Sequence, residues 1–130
     1  MAFFDKIFNS GKNKGELSLN WNHLENMETL DAAIAMSHKQ PVVIFKHSTR
    51  CSISTVAKDR LERSWDFSEE NGPIMYYLDL ISYRPISNEI AERLKVYHES
   101  PQLILIKNGE AIYDASHNYI SLAELKEALA

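Results

Sequence analysis

The chain has 130 residues, of which 45% are hydrophobic, and its formal net charge is −4 at pH 7. This length allows one domain with its own core, which needs neither a disulfide nor a metal for stability. The one cysteine excludes an internal disulfide and favours a reducing compartment, so we expect a cytoplasmic protein. Acidic and basic residues alternate without a basic patch, which argues against nucleic acid as a partner.

The first fifteen residues differ in composition from the rest. Asp5 and Lys6 interrupt a run of phenylalanines, and no small-residue cleavage site follows, so a signal peptide is not expected. No segment approaches the roughly 20 apolar residues of a membrane span. We predict a short docked helix and a flexible connector over residues 1–15, with the domain over 16–130. A peripheral membrane anchor is the alternative for the first segment.

Apolar patterns predict alternating strands and helices along the domain. A weak edge strand is expected at 17–21 and a helix at 27–39, with Thr29 and Asp31 as start signals. The remaining predictions are, in chain order, a buried strand at 41–47, a helix at 52–67, a strand at 74–81, a helix at 86–97, strands at 102–107 and 110–117, and a helix after Ser121. In the helix at 52–67, the residues expected to share one buried face are Ile53, Val56, Ala57, Leu61 and Trp65.

The closing strands and their connection define the fold class. Asn108-Gly109 between two strand-like runs is a strong hairpin signal, and Ser121 with Glu124 matches a capping box. Helices that alternate with apolar strands, followed by an antiparallel hairpin and a helix, predict an α/β fold. We expect a mixed sheet with helices on both faces.

Cys51 lies where the buried strand "VVIFKH" gives way to the helix. A thiol in the first helical turn faces free backbone N–H groups and the positive end of the helix dipole, which favour the reactive thiolate. Lys46 and Arg50 add positive charge, and Ser52 and Ser54 can donate hydrogen bonds to the sulfur. A lone cysteine is more often structural, but these neighbours favour a reactive thiol here.

A second feature is Ser100-Pro101, directly before the strand "QLILIK". X–Pro bonds are cis in only about 5–6% of cases in folded proteins. A proline that introduces a central strand beside a reactive loop raises that expectation, because a cis bond would expose the backbone of Ser100 to a ligand.

The element order, Cys51 and Pro101 together resemble the thioredoxin fold over about residues 27–130. In that family the nucleophilic cysteine begins a helix and a cis-proline faces it. Two departures are visible: Ser54 stands where the second cysteine of Cys-x-x-Cys would be, and Phe45 stands where a buried acid assists catalysis. The departures exclude an efficient dithiol reductase.

The stretch "FKHSTRCSIS", followed by "TVAKDRLER", is similar to the signature of the YtxJ family of bacilliredoxins, the monothiol bacilliredoxin C type. Family members more often have proline at the position of Ser52. The resemblance implies a monothiol thiol-disulfide oxidoreductase that removes bacillithiol from protein mixed disulfides, with Cys51 as nucleophile. Bacillithiol is then a co-substrate and bacillithiolated proteins are the partners. No metal or bound cofactor is expected, and we expect a monomer.

The resemblance also implies roles for the residues around the thiol. Lys46 and Arg50 are candidates to bind the carboxylates of bacillithiol, and His47 is a candidate to orient or polarise it. The residues expected to line the thiol-substrate groove are Thr49, Ser100, Pro101, His117 and Asn118.

Two alternative functions, neither of them enzymatic, stay open. A monothiol glutaredoxin-type carrier would bridge an iron–sulfur cluster between two chains, although the loop lacks the glycine that lets a cluster approach. A thioredoxin-fold binding module would use Cys51 only as an oxidation sensor. The absorbance spectrum of protein purified without oxygen separates the carrier from the other two.

Overall fold

The structure is a computed structural model that describes residues 19–68 and 70–130. The helix and connector predicted at 1–15 lie outside the described residues. The elements are β1 (Asn22–His23), α1 (Met27–Met36), β2 (Val42–His47), α2 (Ser52–Ser64), β3 (Ile74–Asp79), α3 (Arg84–Leu94), β4 (Gln102–Lys107), β5 (Glu110–Ser116), a 3-10 turn (His117–Tyr119) and α4 (Leu122–Leu129). Within the two described ranges, no helix combines the length and apolar character that crossing a membrane requires.

The strands form one five-stranded mixed sheet in the order β1-β3-β2-β4-β5. β1, β3 and β2 are parallel, whereas β4 runs antiparallel to β2 and β5 antiparallel to β4. The two βαβ crossovers and the closing hairpin therefore place β2 at the centre. The α/β prediction is confirmed, including the C-terminal hairpin followed by a helix.

Alternation along β2 divides the interior into two cores, because successive side chains of a strand point to opposite faces. Val42 and Ile44 belong to the core on the face covered by α1 and α3, together with Leu30 and Ile90. The second core, on the other face of the sheet, contains the residues of β2 that alternate with Val42 and Ile44. It is covered by α2 and α4. The helices thus cover both faces of the sheet, and the polar end of β2 projects residues into each core.

Local signals at the element ends agree only in part with those predicted. The edge strand follows the predicted segment instead of occupying it, since β1 begins at Asn22. The cap of α1 is Asn26, whose side chain accepts a hydrogen bond from the Thr29 N–H at 2.7 Å, so Thr29 lies inside the helix. Ser121 caps α4 as predicted, accepting from the Glu124 N–H at 3.1 Å.

The hairpin between β4 and β5 turns at Asn108 and Gly109, which both have positive φ, 53° and 79°. Two consecutive residues of this kind are what a tight hairpin with the twist of its strands requires. The turn is tied to the end of α1, because Asn108 N–H donates to the Ser37 carbonyl at 2.9 Å and Gly109 N–H donates to the Ser37 hydroxyl at 2.8 Å.

The buried face predicted for α2 is wrong in its first two turns. Ile53 and Val56 are 51% and 56% exposed, whereas Ser54 is completely buried. The physical reason is that Ser54 is fixed by hydrogen bonds to the end of β2, which rotates the two apolar side chains toward the surface. Ala57, Leu61 and Trp65 are buried as predicted.

Candidate active site

Cys51 occupies the N-cap position of α2, with extended backbone dihedrals of −112° and 121°. Its N–H donates to the Ser48 carbonyl at 3.2 Å, which closes the turn between β2 and α2. The side chain is a free thiol of intermediate exposure and makes no capping hydrogen bond. The sulfur is therefore held at a helix N-terminus and remains accessible to a reactant.

The Ser100–Pro101 peptide bond is cis, and it lies at the same sheet edge as the Cys51 loop. This follows from the register, in which Lys46 pairs with Gln102, so that Pro101 lies beside the last residue of β2. The buried Gln102 amide donates to the Tyr97 carbonyl at 2.9 Å and holds the preceding loop. Within the described residues, the Ser100 Oγ is a buried polar atom without a hydrogen-bond partner.

The 3-10 turn completes this edge of the sheet. His117 N–H donates to the Pro101 carbonyl at 3.1 Å, and the turn packs against α2. His117 Nε2 lies 3.6 Å from a carboxylate oxygen of Glu99. A cavity of about 620 Å³ is lined by Glu99, His117, Asn118 and the 79%-exposed Tyr119. A cavity of about 720 Å³ lies elsewhere, along α3. That His117 and Asn118 contact a thiol substrate stays a prediction.

Ser54, in the first turn of α2, and His47, at the end of β2, form a buried pair. The Ser54 Oγ lies 2.7 Å from His47 Nδ1 and accepts a hydrogen bond from the Ser48 N–H at 3.1 Å. The hydrogen bond from Ser54 to the Cys51 sulfur that the sequence suggested is not formed among the described residues; His47 and Ser48 bind the hydroxyl instead. Ser52, at the first position of α2, is exposed.

The imidazole of His47 is 6% exposed and lies among aromatic and charged groups. Its ring centroid is 5.6 Å from that of Tyr77. Burial lowers the pKa of His47, and the positive charge of Lys58 acts in the same direction, against the opposing charges of Asp79 and Glu62. The result is an imidazole that is neutral at pH 7.

Lys58 and Glu62 extend this polar group along α2. One Glu62 oxygen accepts hydrogen bonds at 2.7 Å from the Lys58 ammonium and from the Trp21 indole N–H. Burial opposes ionisation of Glu62, but these two hydrogen bonds outweigh it, so the pKa of Glu62 is lowered. The carboxylate is therefore charged and holds Lys58 near His47.

The prediction that Lys46 contacts the carboxylates of bacillithiol is wrong, because the side chain is buried. Strand alternation directs Lys46 to the face opposite His47, where it is 0% exposed. Its Nζ lies 3.3 Å from the Ser87 carbonyl and 3.2 Å from His98 Nδ1. Burial, with the positive charge of Arg84, lowers the pKa of Lys46 to about 8.

Arg50 and Thr49 remain exposed in the loop that carries the thiol. The Arg50 N–H donates to the Ser48 hydroxyl at 3.4 Å, so Ser48 stabilises the loop from within. Of the two cations predicted near Cys51, Arg50 is the one that faces solvent. In the parts of the chain that the structure describes, no three His, Cys, Asp or Glu side chains gather into a metal site.

Sequence reasoning did not identify Lys58 and Glu62 as neighbours of the candidate site. The signal was present in their spacing, because Ser54, Lys58 and Glu62 follow one another at intervals of four residues and share one side of α2. It also did not identify Ser48, which donates a hydrogen bond to Ser54 through its N–H.

The fold and the position of Cys51 define the class as a thioredoxin-fold protein with its one cysteine at a helix N-terminus. The sequence profile of the family "Monothiol bacilliredoxin BrxC" matches residues 22–125, and the chain belongs to this family. The predicted family is therefore confirmed.

Comparison with solved structures supports the same class. One structure, of a protein with a thioredoxin fold, is 31% identical with a TM-score of 0.69, covering 82% of this chain and 90% of that chain. Thioredoxin from Malassezia sympodialis is 16% identical with a TM-score of 0.66, covering 85% and 88% of the two chains. Thioredoxin from Schistosoma mansoni is 18% identical with a TM-score of 0.64, covering 85% and 93%. The two thioredoxins share the fold.

Proposed function

We propose that the protein removes bacillithiol from mixed disulfides of client proteins, as a monothiol thiol-disulfide oxidoreductase. The observation that carries the proposal is the position of Cys51, a partly exposed thiol at the N-terminus of α2. Ser54 stands in the place of a second cysteine and is buried against His47. We expect the protein to act in the cytoplasm as a monomer without a bound cofactor.

The reaction consists of two thiol–disulfide exchanges. The Cys51 thiolate attacks the bacillithiol sulfur of the mixed disulfide, forming a new S–S bond while the client sulfur leaves as a thiolate. A second bacillithiol thiolate then attacks the bacillithiol sulfur on Cys51, which releases the Cys51 thiolate and bacillithiol disulfide. Because Ser54 forms no disulfide, the second thiol has to come from solution.

Three groups around Cys51 fit the parts of this substrate. The exposed Arg50 guanidinium suits the carboxylates of bacillithiol, because it pairs with them through two parallel hydrogen bonds. The Ser100 backbone, at the cis bond to Pro101, suits the peptide-like part. The cavity beside His117 and Asn118 provides room for the remainder of the molecule.

Intact-protein mass spectrometry tests the proposal after reduced protein is mixed with a bacillithiolated client. We expect a mass gain of one bacillithiol on Cys51 and an equal loss from the client. Cys51→Ser should abolish the transfer, while Ser64→Ala, a change at the exposed far end of α2, should retain it. If wild-type Cys51 reacts with a small alkylating reagent but takes up no bacillithiol, the proposed function is wrong.

A further inference from the structure

Two Asn–Gly pairs occur in the chain, Asn71-Gly72 and Asn108-Gly109. An asparagine before glycine is prone to lose its side-chain amide spontaneously, because glycine has no Cβ to shield the backbone nitrogen that attacks the asparagine side chain. The dipeptide is the same at both positions. A difference in reactivity between the two pairs therefore has to come from the fold.

The reaction requires the backbone nitrogen of the glycine to reach the side chain of its own asparagine. A bond forms between this nitrogen and the asparagine Cγ, while the Cγ–Nδ2 bond breaks and the amide nitrogen leaves as ammonia with the proton of the glycine N–H. Water then opens the cyclic imide at either carbonyl, which gives aspartate or isoaspartate. Water is the co-reactant, and no atom is oxidised or reduced. A glycine N–H held in a hydrogen bond has to be released by local opening before it can attack.

In the hairpin, both nitrogens of the Asn108-Gly109 pair are bound to Ser37, the C-cap of α1. The Asn108 N–H donates to the Ser37 carbonyl at 2.9 Å, and the Gly109 N–H donates to the Ser37 hydroxyl at 2.8 Å. Ser37 is 3% exposed, and its own hydroxyl proton is donated to the Ile34 carbonyl. Attack by the Gly109 nitrogen therefore requires the hairpin turn to separate from the end of α1.

The Asn71-Gly72 pair lies in the loop between α2 and β3 and is held only locally. The N–H groups of Asn71 and Gly72 both donate to the Ser68 carbonyl, each at 3.2 Å. Asn71 and Ser68 are exposed. Opening this turn breaks hydrogen bonds within one loop, which costs less free energy than separating two packed elements.

We propose that Asn71 is a site of spontaneous deamidation, and that Ser37 protects the identical pair in the hairpin. The product carries a new negative charge beside the exposed Glu70, and isoaspartate also adds a methylene to the backbone just before β3. The loop precedes β3, whereas Cys51 follows β2, which runs parallel to β3, so the two lie at opposite edges of the sheet. Deamidation should therefore leave the reactions of Cys51 unchanged.

Peptide mapping by mass spectrometry measures both conversions while the full-length protein is incubated in neutral buffer. We expect Asn71 to convert at least about tenfold faster than Asn108, a ratio that corresponds to about 1.4 kcal/mol of additional opening free energy at the hairpin. In guanidinium chloride, which unfolds the chain, the two rates should become nearly equal. Equal rates in the folded protein would overturn the inference. So would an Asn71 that stays intact over a period in which the unfolded chain converts.

Ser37→Ala tests the protection, because it removes the acceptor of the Gly109 N–H. The Asn108 rate should rise about tenfold while the Asn71 rate stays the same, whereas Ser37→Thr, which keeps a hydroxyl, should retain the wild-type rates. The matched control is Ser64→Ala, which removes a hydroxyl that likewise donates to carbonyls of its own helix, at the end of α2, and should change neither rate. An unchanged Asn108 rate in Ser37→Ala, or an equal rise at both asparagines, would overturn the role of Ser37.

Discussion

At the scale of single residues, Lys46 brings a charged group into the interior. Lys46 is 0% exposed, and among residues 19–68 and 70–130 its ammonium has the Ser87 carbonyl and the His98 ring within hydrogen-bond distance. Its pKa falls from 10.5 to about 8 on folding, so between these values the unfolded chain binds the proton more tightly than the folded one. The stability of the fold therefore rises as the pH increases from about 8 to 10.5.

Lys46→Met should stabilise the protein at pH 7, because it replaces a buried charged side chain by an apolar one of similar volume. We expect a gain of about 2 kcal/mol in the free energy of unfolding, less than the full pKa shift implies, since the Ser87 carbonyl loses its donor. The gain should shrink above pH 8, vanish at about pH 9.5 and reverse by pH 10.5, because wild type recovers about 1.4 kcal/mol per pH unit in this range. Urea unfolding at pH 7 and pH 10 measures both values.

The control for Lys46→Met is Lys39→Met, which removes an exposed charge after α1 and should change stability by less than about 0.5 kcal/mol at either pH. Equal gains at the two pH values in Lys46→Met would show that burial of the ammonium does not limit stability.

At the scale of elements, the hairpin turn depends on one residue without a side chain. Gly109 has a φ of 79°, and a Cβ there would lie 3.1 Å from His38 Nε2. We expect Gly109→Ala to lower the free energy of unfolding by about 1 kcal/mol, because alanine is strained at positive φ. Thermal unfolding should report the loss. Glu110→Ala, one residue later in extended backbone, should be nearly neutral; a comparable loss there would mean that φ is not the cause.

Elements were predictable from the sequence where local chemistry determines them. The asparagine–glycine pair fixes the hairpin, and Ser121 fixes the start of α4, since both act on their own backbone. The contact of Ser54 with His47 was not predictable in the same way. It depends on the rotation of α2 about its axis, and a change of one position along the helix turns a side chain by about 100°. Ile53 and Val56 were assigned to the wrong face for this reason.

At the scale of the whole molecule, the sheet separates two hydrophobic cores. We expect mutations in one core to change stability independently of mutations in the other. Ile90→Val acts in one core and Ile120→Val in the other, and both side chains are at most 1% exposed. Each should cost about 1 kcal/mol. Together they should cost about 2 kcal/mol, with a coupling below about 0.5 kcal/mol in a double-mutant cycle by urea unfolding.

The comparison for that cycle is Ile44→Val with Ile104→Val, which lie opposite each other on β2 and β4 in the same core. Their coupling should exceed about 0.5 kcal/mol, as expected for residues in contact. Strong coupling between Ile90 and Ile120 would instead mean that the sheet transmits packing changes from one face to the other.

The single thiol has a consequence for the protein under harsh oxidation. With one cysteine in its 130 residues, the chain can take part in only one disulfide bond at a time. Two copies joined through Cys51 have no thiol left, so cross-linking ends at the pair. A chain with two exposed thiols can instead continue to link and form polymers. Oxidative aggregation through disulfides is therefore self-limiting in this protein, whatever the concentration of oxidant.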